Sequence, residues 1–63
     1  MPSRATWFSD IRILLVETPQ TTVTVRKCLR ASDALQAAGY RRIGPWEPIE
    51  KGKRAQVKAK WHD

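Results

Sequence analysis

Lys58 and Lys60 stand two residues apart near the end of the chain, Lys53 and Arg54 precede them, and Arg41 and Arg42 form a basic pair upstream. Between these groups lies Trp46, held in "GPWEP" between Pro45 and Pro48. Ammonium and guanidinium groups at this density suit the neutralisation of phosphates, which gives sequence-independent affinity that falls as salt rises. An indole on a stiff loop can stack on a base, worth ~1–3 kcal/mol, or anchor a protein interface, where Trp is enriched among hot spots. Each feature also has a purely structural reading. Charges on a strand face keep it solvated, and lysines at an edge block edge-to-edge aggregation. The indole can fold back to close one end of a core that needs every large side chain.

Other chemistry finds few residues to carry it. Metal binding needs several ligands at suitable spacing, and the lone His62 and lone Cys28 do not supply them. Cys28 has no nearby histidine, and Arg26 and Lys27 beside it favour a thiolate only modestly. A structural thiol in small apolar company is the expectation. The carboxylates Asp10, Glu17, Asp33, Glu47, Glu50 and Asp63 are scattered, with Glu47 and Glu50 placed to balance Lys51 and Arg54. Gly39, Gly44 and Gly52 read as turn residues and form no phosphate-binding loop. The reading is a non-enzyme with no metal and no cofactor.

The elements that must position the cations belong to a short chain. Sixty-three residues make one domain, a size that buries only ~60% of the surface its unfolded form exposes. One cysteine allows no internal disulfide, and an unpaired thiol fits a reducing compartment, so the expected location is cytoplasmic. The longest apolar run is "ILLV" (13–16), far below the ~20 residues that span a bilayer. The net charge is +6 and the pI about 10.3. Residues 1–39 carry five Lys/Arg and three Asp/Glu, whereas residues 40–63 carry seven and three. Such an excess speaks to partners, chiefly nucleic acid or an acidic protein surface.

Hydrophobic period sorts the chain into elements. "IRILLVE" (11–17) is apolar on both faces, as in a central strand, and "TVTVRKCL" (22–29) alternates cleanly. "TPQT" (18–21) links them as a turn with Pro19 in second position. "ASDALQAAGY" (31–40) predicts a two-turn helix with Ser32 as N-cap and Gly39 just past its end. "YRRI" (40–43) returns to strand, "GPWEP" (44–48) is broken by prolines, "KGK" (51–53) turns, and "AQVKAKW" (55–61) is the clearest strand. Trp7 and Phe8 are expected to cap an edge of the sheet, with residues 1–9 loosely ordered and 62–63 frayed. A ribbon-helix-helix arrangement fails because Pro45 and Pro48 forbid its second helix. The fold class expected is α+β, a small ββαββ domain whose antiparallel sheet carries one short helix on one face.

In the last strand Ala55, Val57, Ala59 and Trp61 face one way, Gln56, Lys58 and Lys60 the other. The expectation is a basic stripe on the side away from the helix. Lys58 and Lys60 lie on it, Lys53 and Arg54 stand at its turn, and Arg41 or Arg42 joins from a neighbouring strand.

Two resemblances sit beside this reading. "LQAAGYRRI" (35–43) followed by a basic hairpin is similar to the helix–Gly–aromatic–strand unit of HicA-type mRNA interferases. Their motif continues with Gly-Ser-His, where this chain has "GPWEP", so the catalytic histidine is missing and nuclease activity is not implied. The order of elements, a hairpin, then "RASDALQAA", then strands, resembles very small phage-encoded proteins of the RNA-polymerase-inhibitor and anti-CRISPR kind. That resemblance implies docking on a host complex. Two functions are therefore expected from the same residues. The first is a non-catalytic nucleic-acid-binding module using Arg41, Arg42, Trp46, Lys53, Arg54, Lys58 and Lys60. The alternative is a phage-type inhibitor or adaptor meeting an acidic protein surface. No membrane partner is expected, and an exposed sheet edge is open to pairing with a second copy.

Overall fold

The alternation of Ala55 and Val57 against Gln56 and Lys58 marks the longest strand of the protein. The computed structural model describes residues 2–60, so the expectations for Trp61 as a core residue and His62 as a frayed one fall outside the described residues. Its elements are β1 (Ser3–Phe8), β2 (Ile13–Glu17), β3 (Thr22–Val25), α1 (Ala31–Ala38), β4 (Tyr40–Arg42), β5 (Glu47–Ile49) and β6 (Gly52–Ala59). All the strands pair antiparallel in one sheet of order β3-β2-β1-β6-β4, with β5 also paired to β6. The α+β class, the antiparallel sheet and the one short helix packed on it match the expectation. The sheet holds six strands, two more than ββαββ supplies.

One added strand lies at the centre. β1 runs between β2 and β6, with Trp7 opposite Leu14 on one side and Lys53 on the other. Trp7 is 5% exposed and belongs to the core, so it caps no edge, and residues 3–8 are strand where loose chain was expected. The other added strand is β5, which contains Pro48. A proline cannot donate to a ladder, but on an edge strand its missing N–H faces outward and costs nothing. β4 and β5 therefore share the outer edge of β6, one paired with residues 57–59 and the other with 52–54.

Local chemistry shapes the joints. β2 starts at Ile13, two residues later than the apolar run suggests, because Arg12 takes a left-handed backbone (φ 53°) at the end of the β1–β2 link. In the β2–β3 turn, Thr18 Oγ1 accepts from the backbone N–H of Gln20 and Thr21 at 3.2 and 2.9 Å and donates to Thr21 O at 2.9 Å. α1 begins at Ala31, so Arg30 and not Ser32 is its N-cap; a guanidinium has no acceptor, and no side chain caps this end. Gly39 ends the helix as expected, in the left-handed region at φ 84° with its N–H on Gln36 O.

The core lies between helix and sheet. Ala31, Ala34 and Leu35 of α1 meet Ala5, Trp7, Leu14, Val16 and Val57. The small alanines let the helix axis come close, and Cys28, Tyr40 and Trp46 pack around the rim.

Candidate nucleic-acid interface

Residues opposite one another in an antiparallel ladder project from the same face. The register Trp7–Leu14–Lys53 and Ala5–Val16–Ala55 thus sets the helix-covered face. Val57, 2% exposed, belongs to it, so Lys58 projects from the other. That second face is uncovered by any described element. Along it, Arg4 pairs with Gln56 and Glu17, Thr6 with Arg54 and Leu15, and Phe8 with Gly52 and Ile13. Arg41 of β4 lies directly opposite Lys58. Arg4, Arg54, Lys58 and Arg41 therefore share one surface spread over β1, β6 and β4.

Arg54 is the best-defined of these cations. Its Nε–H donates to Thr6 Oγ1 at 3.3 Å, and Glu47 stands opposite it on β5. Arg54 is exposed, while Thr6, its cross-strand neighbour, is buried. The register thus sets the Glu47 carboxylate and the Arg54 guanidinium on the same face of the sheet. Beyond this pair the surface becomes apolar. Phe8, Ile13, Leu15 and Ile49 are half-buried, and Gly52, lying between Phe8 and Ile49 in the ladder, adds no side chain.

The seven residues singled out in the sequence do not all share this face. Arg41, Arg54 and Lys58 do. Lys53 projects from the helix-covered side, where its Nζ sits 5.0 Å from the centroid of the Trp46 ring, a cation–π distance. Trp46 itself packs against the core, because the chain leaves the sheet over residues 43–46, between β4 and β5, and sets the indole beside Leu35 and Gln36 of the helix. It does not project from a stiff loop. Arg42 is opposite Val57 and so also belongs to the helix side. Lys60 lies past the end of β6, its N–H bonded to Gly39 O at 2.9 Å. Arg41, Arg42, Lys60 and Trp46 line a cleft of about 240 Å³ beside Leu35 and Gln36 of α1. The single stripe is thus two basic regions, meeting at Arg41 on the edge.

Two residues of the open face were not among the candidate site residues: Arg4, and Phe8, which the sequence assigned to capping a sheet edge. Both lie on β1, whose partner β6 is some fifty residues away in the chain. The signal was present as the alternation of Ala5 and Trp7 with Arg4, Thr6 and Phe8.

Among the described residues no group of three or more His, Cys, Asp or Glu could hold a metal ion. Cys28 is a free, half-buried thiol packed on the core rim. No described helix is long and apolar enough to cross a membrane. This chain matches no protein-family model, no curated protein and no solved structure.

Proposed function

We propose that this chain is a non-catalytic binding protein that takes nucleic acid on the open face of its sheet. The observation that carries the reading is the placement of Arg4, Arg54 and Lys58, with Arg41 opposite Lys58, on a sheet face that no described helix covers. A net charge of +6 supplies the long-range attraction. Arg54 is held by Thr6 before any ligand arrives, which lowers the ordering cost of a phosphate contact.

Four cations on one face set the expected salt response. Neutralising four phosphates of a single strand gives a slope of roughly −3 in log K against log salt, or a loss of roughly fifty-fold between 50 and 200 mM. Fluorescence anisotropy of random-sequence DNA and RNA oligonucleotides measures this directly. Absence of binding at 100 mM salt, with capture of an acidic protein instead, gives the face to the alternative, an inhibitor or adaptor.

The unpaired Cys28 supports a reducing compartment such as the cytoplasm. β3 pairs with β2 and forms an outer edge of the sheet, so a second copy can add to it and set two basic faces side by side. Native mass determination with and without oligonucleotide reads oligomer and complex together.

A further inference from the structure

We infer that the nucleic acid held by the open face is single-stranded, and that one of its bases stacks on Phe8. The inference rests on the reading of that face as a nucleic-acid interface and adds which form of nucleic acid it takes. Three observations carry it.

The first is shape. The path β3-β2-β1-β6-β4 sets five strands abreast. At ~4.8 Å between strands such a surface is roughly 20 Å across, whereas a duplex major groove is about 12 Å wide and admits a helix or a two-stranded ribbon. The face can meet a duplex only along its backbone. The second is the order of side chains along β6 and its neighbours. Lys58 with Arg41 comes first, then Arg4 beside Gln56, then Arg54 beside Thr6, then Phe8 beside Gly52. Successive rows are roughly 7 Å apart, so cations run along the sheet and end at an aromatic ring. The third is the apolar end itself. Phe8, Ile13, Leu15 and Ile49 are half-buried on a face with no cover among the described residues. A duplex would set charged phosphates on that patch. A single strand sets the faces of its bases there while its phosphates meet Arg54 and Arg4, and aromatic–base stacking tolerates any sequence.

The test compares a fluorescein-labelled 15-mer of mixed sequence as single-stranded DNA, as single-stranded RNA and as a DNA duplex, all at 100 mM NaCl. The protein is tested as wild type, Phe8→Leu and Phe8→Tyr, with near-ultraviolet circular dichroism of the tryptophans reporting the fold. The expected result is single strands bound at least ten-fold more tightly than duplex. Phe8→Leu then weakens single-strand binding by roughly 5- to 150-fold and leaves duplex binding unchanged, whereas Phe8→Tyr binds like the wild type. Ultraviolet crosslinking of the wild-type complex should place the adduct in the peptide containing Phe8, a readout that a change in folding of Phe8→Leu does not touch. The DNA and RNA arms show which single strand is preferred. Equal binding of single strand and duplex, with no crosslink at Phe8, overturns this inference and leaves the cationic face standing. No binding to any of the three, or full displacement of the single strand by poly-glutamate at equal charge, overturns the face as a nucleic-acid interface as well.

Discussion

Arg54 donates its Nε–H to Thr6 Oγ1 at 3.3 Å across the β1–β6 pair, joining an exposed arginine to a threonine that is only 2% exposed. The bond fixes where the guanidinium can offer its remaining donors. Arg54→Lys keeps the charge and loses the planar fork and its hold on Thr6. We expect it to keep the salt slope of oligonucleotide binding while lowering affinity several-fold. Arg54→Ala should also reduce the magnitude of the slope by roughly 0.7. Anisotropy titrations at three salt concentrations separate the two.

Lys58 and Arg41 are cross-strand neighbours, and like charges directly opposite oppose sheet formation. Lys58→Glu replaces repulsion by attraction. Its melting temperature should equal or exceed that of the wild type, by an amount corresponding to about 0.2–1 kcal/mol, while oligonucleotide affinity drops by an order of magnitude or more. A variant that melts lower would show that Lys58 supports the fold.

Gly52 and Gly44 respond oppositely to a methyl group. A Cβ on Gly52 would run into the carbonyl oxygen of Trp7, in the backbone of the central strand. A Cβ on Gly44 meets only the Gln56 Cβ at 3.9 Å. Gly52→Ala must part β1 from β6, and a core of this size rarely holds more than ~3–5 kcal/mol net. We expect loss of cooperative unfolding for Gly52→Ala and a near-wild-type denaturation curve for Gly44→Ala.

The uncapped start of α1 leaves stability to be gained. Arg30 already has the extended backbone of an N-cap (φ −129°, ψ 147°), and its carbonyl accepts from Ala34 N at 3.1 Å. Arg30→Ser supplies the missing acceptor and should stabilise by about 1 kcal/mol. In the opposite direction, Thr18→Val removes three turn hydrogen bonds and should destabilise by roughly 1 kcal/mol. Urea denaturation reads both.

Local patterning made most of the sheet legible. Val23 and Val25 against Thr22 and Thr24, and Ala55 and Val57 against Lys58, announced two strands and their inward sides. Gly39 after an alanine-rich run announced the helix end. β1 was harder to read: Ala5 and Trp7 alternate with Arg4, Thr6 and Phe8, but the aromatics fall on both faces and the strand's second partner is distant in the chain. β5 was hidden by Pro48, which reads as a breaker until its place on an edge is known. The site was half legible for the same reason. Alternation puts Lys58 and Arg54 together, but the sides taken by Lys53, Trp46 and Lys60 depend on where the chain leaves β4 and joins β6. Arg4 and Phe8 became visible only with β1 in place.

The account is tested most directly by side-chain NMR during titration with a single-stranded oligonucleotide at 100 mM salt. It predicts shifts in the methyl groups of Ile13, Leu15 and Ile49 and the Nε–H of Arg54, while the Leu35 methyls and the Trp46 indole stay in place. Perturbation confined to Leu35, Trp46 and the cleft beside α1, with the open face silent, would contradict it.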